Sequence, residues 1–146
     1  MSGGAAIREI AFGSADYERE LELRDRLLRR PLGLRLADEN LTAEVDDWHV
    51  GAFLTGRLAG VLVLTRLDDG SVHMRQVCVA GEEQGKGTGA KLVRFAEDLM
   101  RGRGVASVML NARKTAIGFY EKLGYRAVGD EFLEVGIPHR RMEKNL

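Results

Sequence analysis

The chain has 146 residues, 45% hydrophobic and 30% charged, which fits one soluble globular domain over 1–146 and excludes disordered and collagen-like classes. Lys and Arg total 22 against 22 Asp and Glu, so no net basic field draws it to nucleic acid or anionic lipid. The longest apolar run, Leu58 to Leu64, falls far short of the ~20 residues that cross a bilayer. Met1 to Ala6 carries neither a basic n-region nor an apolar h-region, so a cytoplasmic location with no membrane partner is expected. Cys78 is the single cysteine, which removes internal disulfides and multi-cysteine zinc sites. His49, His73 and His139 are too scattered for a helical metal motif, so no metal is expected.

In chain order, Ile7 to Phe12 reads as a short strand. Ser14 is placed to cap a helix whose Tyr17, Leu21 and Leu28 share one face, and Pro31 breaks it. Arg24, Arg26, Arg29 and Arg30 read as the solvated face of that helix, with contact to an acidic substrate or a phosphate as the alternative. Trp48 to Leu54, Leu58 to Arg66 and Ser71 to Val79 are β-type runs joined by short turns at Gly56 and Asp68-Asp69-Gly70, which predicts an antiparallel meander. Leu92, Val93, Ala96, Leu99 and Met100 mark one face of a helix ending near Gly102 to Gly104, with Lys91, Arg94, Glu97 and Asp98 opposite. Val105 to Leu110 is a buried strand, Thr115 to Leu123 a second short helix, and Tyr125 to Val128 and His139 to Glu143 two further strands. The fold class is mixed α/β.

Between the meander and the long helix lies Val77-Cys78-Val79-Ala80-Gly81-Glu82-Glu83-Gln84-Gly85-Lys86-Gly87-Thr88-Gly89-Ala90. A strand leading through clustered glycines into a helix can bring unpaired N–H groups and a positive dipole end against a phosphate. Taken alone, such a cluster is more often a tight packing turn than a ligand cradle. The spacing does not match a P-loop, since Gly81 is one residue too near Gly85-Lys86 and Gly87 replaces Ser or Thr. It does not match a dinucleotide fingerprint either, because the third glycine falls at Ala90 or Leu92 and an antiparallel meander precedes it.

Gln84-Gly85-Lys86-Gly87-Thr88-Gly89 resembles the Q/R-x-x-G-x-G/A signature of the GNAT superfamily of N-acetyltransferases. Asn111, Ala116, Tyr120 and Gly124-Tyr125 reproduce the superfamily's N-x4-A-x3-Y-x3-G-[FY] segment one helix and one strand downstream. The resemblance implies a mostly antiparallel twisted sheet with helices on both faces and a splayed central strand pair. It also implies acetyl-CoA as cosubstrate and a primary amine, of a small molecule or peptide, as acceptor, with direct transfer in a ternary complex. By the same resemblance, Gln84, Gly85, Lys86, Gly87, Thr88 and Gly89 would hold the pyrophosphate. Val77, Cys78 and Val79 would pair with the pantetheine arm and donate to the oxyanion, Asn111 would help hold the pantetheine or a bound water, and Phe119 would lie against the cofactor. Tyr120 would be the general acid, a role that suits a phenol protonated at neutral pH.

The base is not fixed by the resemblance. Glu131 to Met142 resembles the E-x-G-I-x-H-x-x-M tail of a bacterial subgroup of small GNAT proteins, which makes Glu134 and His139 acceptor-site candidates. His73, on the strand leading to the loop, is a further one, and a chain of waters could serve instead. Arg29 to Gly33 would border the acceptor site. Cys78 has no partner motif for covalent chemistry. A non-catalytic acyl-CoA-binding or regulatory domain is the alternative function, and a homodimer is compatible with the resemblance.

Overall fold

Apolar runs, two of their connections short turns at Gly56 and Gly70, build the first half of the sheet. In the computed structural model, which describes residues 4–146, β1 (Ala6–Ile10), β2 (Trp48–Leu54), β3 (Arg57–Arg66) and β4 (Val72–Val79) pair antiparallel in that order. Met1, Ser2 and Gly3, where the segment read for a leader starts, lie outside the described residues. Thr55 and Gly56 both take positive φ, 47° and 77°, the twist a two-residue hairpin loop needs. β5 (Ser107–Arg113) joins β4 in parallel. β7 (Ile137–Asn145) inserts between β5 and β6 (Arg126–Glu134), giving a seven-stranded sheet of order β1-β2-β3-β4-β5-β7-β6. The sheet is mixed, mostly antiparallel, and splayed at β4–β5, as the resemblance implies.

β3 is apolar without alternation because both of its faces are covered. Leu62 and Leu64 face α2 (Thr88–Gly102) with Leu92, Val93, Ala96 and Met100, while Val61 faces α1 (Ala15–Arg24) with Tyr17, Leu23 and Ile10. A short helix α3 (Ile117–Lys122) follows β5. Among the described residues no helix is long and apolar enough to cross a membrane.

Ser14 caps α1 as expected, its Oγ accepting from the Tyr17 N–H at 3.1 Å. The first strand stops at Ile10, because Ala11 to Ser14 form the turn that enters the helix. α1 continues through a π-type turn, Asp25–Arg29, into a 3₁₀ turn, Arg30–Leu32, that ends at left-handed Gly33. Pro31 therefore sits inside the closing turn, near its start where its missing N–H costs nothing.

The inward face of α1 differs from the expected apolar stripe. Tyr17, Glu20, Leu23 and Arg24 are buried, whereas Leu21 and Leu28 are only partly so. Arg24 is thus not on a solvated face: its side chain is 1% exposed. Its Nη1 donates to Glu20 Oε2 and Glu44 Oε1, both at 2.8 Å, and its Nη2 to Glu44 Oε2 at 2.7 Å. Tyr17 Oη donates to Glu44 Oε1 at 2.9 Å, and Arg75 Nη2 to Glu44 Oε2 at 3.1 Å. His49 reaches Glu20 Oε2 from Nδ1 at 2.8 Å and the Glu44 carbonyl oxygen from Nε2 at 3.1 Å. Both partners are acceptors, so both ring nitrogens donate and the imidazole is charged. Burial opposes that charge, but the Glu20 carboxylate outweighs it and raises the His49 pKa. Burial also opposes ionisation of Glu44, yet Arg24 holds its carboxyl down at about 2.

On the opposite face Glu97 departs from expectation in the same way. It is 4% exposed, accepts from Tyr125 Oη at 2.8 Å and from Lys144 Nζ at 3.0 Å, and so ties α2 to the end of the sheet. Lys144 Nζ also donates to the Leu123 carbonyl at 2.7 Å.

Removing one partner of a buried ion pair leaves the other charge uncompensated, at a cost of about 3–5 kcal/mol. Glu44→Gln is expected to destabilise by that amount at pH 6. A group with a depressed pKa stabilises above its unfolded value and loses that contribution as pH falls through the folded one. The difference between Glu44→Gln and wild type should therefore shrink between the ordinary value of 4.5 and about 2. Urea titrations across that range measure it, and a difference independent of pH contradicts the assignment.

Candidate functional site

β4 and β5 pair only at Val72 with Val108 and His73 with Met109, after which they diverge. Along its other edge β4 carries a bulge. Val61 opposes Cys78 and Val63 opposes Arg75, so Gln76 and Val77 together stand against Leu62, and Gln76 takes a left-handed φ of 58°. The parted strands leave two cavities that adjoin across the sheet.

The larger cavity, about 680 Å³, lies between the end of β4, the glycine loop and α3. Val77, Cys78, Val79, Gln84, Gly85, Gly87, Thr88, Gly89, Phe119 and Tyr120 all line it. Gly85 and Gly87 have φ of 80° and 82°, and a Cβ built on either meets no atom within 4 Å. The glycines therefore hold a left-handed backbone and leave open space where side chains would stand. No side chain caps α2, whose first turn starts at this loop, so its leading N–H groups and dipole end are available to an anion. Gln84 Nε2 donates back to the Val79 carbonyl at 3.1 Å, fastening loop to strand. Lys86 is the exception among the loop residues. It is absent from the lining, and its Nζ lies 3.5 Å from Glu83 Oε2 on a largely exposed side chain.

The smaller cavity, about 360 Å³, is lined by His73, Gln76, Val77, Asn111, Glu134 and His139, with Arg29 from the π-type turn. Asn111 thus lies on this side, its Nδ2 donating to Glu134 Oε1 at 3.4 Å. His139 Nδ1 is 2.7 Å from the Ile137 carbonyl oxygen, an acceptor that places the proton on Nδ1. Nε2 faces Glu134 Oε2 at 3.5 Å. Burial lowers the His73 pKa, aided by the Arg75 charge, which keeps the ring neutral near pH 7.

Leu28, Val77, Arg113, Ala116 and Tyr120 line both cavities. Tyr120 is 7% exposed, and burial pushes its phenol up to about 12. Phe119 meets it edge-on at 4.9 Å between centroids and leaves its own ring 38% exposed. Burial likewise pushes the Cys78 thiol up to about 12, so no nucleophilic thiolate forms there near neutrality. Gln76 and Arg113 were not candidates from sequence. Arg113 falls at an unspecified position between Asn111 and Ala116, and nothing in a strand-like run marks Gln76 as left-handed.

Glu20, Glu44 and His49 bring ligand-type atoms within 4.8 Å of one another. Arg24 already donates to both carboxylates, so a cation there would meet a fixed positive charge.

A family model described as Acetyltransferase (GNAT) domain matches residues 33–146. The uncharacterized N-acetyltransferase YjcF of Bacillus subtilis (strain 168) is 35% identical over 81 residues, covering 55% of this chain and 58% of that protein. YyaT, an uncharacterized protein of the same organism, is 34% identical over 76 residues, covering 52% of this chain. The match thus spans little more than half the length of these two relatives, 51% for YyaT. A third Bacillus subtilis protein, assigned to the acetyltransferases, is 35% identical over 107 residues, 73% of this chain and 72% of its own length. Among solved structures, a Lactobacillus plantarum protein assigned as an N-acetyltransferase superposes with a TM-score of 0.87 at 23% identity, over 98% of this chain and 99% of that one. A coenzyme A complex of an aminoglycoside 6'-N-acetyltransferase gives 0.81 at 16% identity over 96% of each chain. These structural likenesses establish the shared fold.

The loop geometry has a measurable cost. Gly87→Ala is expected to destabilise by about 1–2 kcal/mol, since only backbone strain at positive φ opposes the methyl group. Gly81→Ala, also in open space but without a positive φ, is expected to be neutral within about 0.5 kcal/mol. Paired urea titrations distinguish the two, and equal effects contradict the conformational role of Gly87.

Proposed function

The chain belongs to the GNAT acetyltransferase family, and from that premise we propose that it moves an acetyl group from acetyl-CoA to a primary amine, directly and within a ternary complex. The observation that carries this reading is the meeting of the two cavities at Tyr120 and Val77. One cavity opens on the anion-binding loop and the other on a carboxylate and two imidazoles.

Acetyl-CoA supplies a thioester whose carbonyl carbon takes the new bond to nitrogen and whose sulfur departs with the electron pair of the broken C–S bond. On the protein's side, Gly85 to Gly89 and the first turn of α2 bind the pyrophosphate through backbone N–H groups. Open space at Gly85 and Gly87 admits it. The parted edge of β4 offers those N–H groups of Val77 to Val79 that face away from β3 to the pantetheine arm and to charge developing on the carbonyl oxygen. Phe119 covers the cofactor's outer side.

The acceptor enters from the smaller cavity. Glu134, oriented by Asn111, holds the ammonium form of the amine by charge. His139 Nε2 takes its proton, because Nδ1–H is committed to the Ile137 carbonyl. His73, neutral in its buried setting, is the second proton acceptor within the same cavity. Tyr120 gives its proton to the departing sulfur. Burial favours the protonated phenol, which is the form a donor must hold before the reaction.

Calorimetric titration with acetyl-CoA tests the loop. Wild type is expected to bind, and Gly87→Glu to lose binding with its circular dichroism unchanged; a variant that binds normally contradicts the assignment. Tyr120→Phe is expected to lower kcat by about 10²-fold or more with the affinity for acetyl-CoA retained. Normal turnover in that variant removes Tyr120 from the role of acid.

A further inference from the structure

The bulge in β4 is fastened from the α1 side of the sheet. Gln76, the left-handed residue that makes it, is a non-glycine in a conformation that L side chains rarely adopt. Its side-chain Oε1 accepts a hydrogen bond from Arg24 Nε at 3.2 Å. Arg24 cannot swing away, because its two remaining nitrogens are held by Glu20 and Glu44 within the buried network. Arg75, the next residue along β4, is bound to the same Glu44 carboxylate and to Asp47 Oδ2 at 3.3 Å. Both residues at the mouth of the bulge are therefore tied to a single buried ion pair between α1 and the segment before β2.

A buried arginine between two glutamates is an expensive way to fill a core. Apolar side chains of similar volume commonly serve stability as well or better, because the charges must be stripped of water. What an apolar side chain cannot do is clamp two carboxylates and donate a third hydrogen bond, in a fixed fork, to a strand residue. The bulge so held has one visible product. Gln76 and Val77 face the smaller cavity, and Val77 stands where the two cavities meet.

We propose that Arg24 is a positioning residue for acyl transfer: by gripping the Gln76 side chain it fixes the β4 bulge and thereby aims the backbone N–H groups that follow it at the reacting carbonyl. The proposal rests on the acetyltransferase reading above. It separates anchoring from chemistry, since the glycine loop holds the pyrophosphate whether or not the bulge is rigid, whereas alignment of the β4 donors matters to the chemical step. Misplacement of donors by a fraction of an ångström acts on kcat before it acts on binding.

The test uses the full chain and leaves the ion pair intact. Gln76→Met keeps length and removes the acceptor atom, while Gln76→Glu keeps an oxygen within reach of Arg24 Nε. In Gln76→Met, amide exchange at residues 76–79 is expected to quicken about tenfold or more, with β2 and β5 unchanged. The kcat of acetyl transfer is expected to fall about tenfold or more while KM for acetyl-CoA stays within about threefold. Gln76→Glu should restore both to within about threefold of wild type. Unchanged amide exchange or unchanged kcat in Gln76→Met overturns the positioning role, as does a loss that Gln76→Glu fails to rescue. If wild type transfers no acetyl group to any amine, the acetyltransferase reading fails and the positioning role with it, whereas a silent Gln76→Met in an active enzyme removes the positioning role alone.

Discussion

Backbone hydrogen-bonding groups in the middle of a buried sheet need partners, and β4 gives up some of its own. It shares two residue pairs with β5, Val72 with Val108 and His73 with Met109, and then the strands part. From Met74 onward the β5-facing edge of β4 is a row of peptide groups without a strand to pair with. That edge lies beside the glycine loop, Phe119 and Tyr120 on one side and beside His73, Asn111 and His139 on the other. An extended ligand carrying amides of its own, with a phosphate at one end, satisfies the edge as a strand would. The separation thus creates both a hydrogen-bonding demand and the space in which to meet it.

Holding a sheet open requires rigid ties elsewhere, and the two faces supply them with charge rather than with apolar contacts alone. On one face Arg24, Glu20, Glu44 and His49 bind α1 to β2 and β4. On the other Lys144 and Tyr125 bind Glu97 of α2 to β7 and the end of α3. β7 completes the frame, pairing antiparallel with β5 from Ser107 through Arg113 and so bracing the strand that β4 has left. Its turn with β6, Val135-Gly136 at φ 46° and 75°, brings Glu134 back over the smaller cavity.

Much of this was legible in the chain. The meander from Trp48 to Val79, the amphipathic helix and the glycine loop follow from periodicity and turn chemistry, which act locally and leave their marks in spacing. Two motifs in order mark Tyr120 and the loop residues, and the structure sets Tyr120 and all of the loop residues but Lys86 around one cavity. The placements that differed share a physical cause. Arg24 and Glu97 carry formal charges that point outward on any helical wheel, yet each finds partners far away in sequence, so burial becomes favourable only after the fold brings Glu44 to Arg24 and Lys144 to Glu97. Gln76 was invisible for a related reason: a bulge is a property of two strands in register, and neither strand's sequence records it.

Tyr120 stands between the two cavities, where the glycine loop on one side meets Glu134, His73 and His139 on the other. The most direct measurement follows free coenzyme A thiol and acetylated product together, with purified protein, acetyl-CoA and a panel of primary amines. Thiol release is expected to depend on the amine and to match the acetylated product one for one. Release at the same rate without amine, or none with any amine while acetyl-CoA is bound, would contradict the proposed transfer.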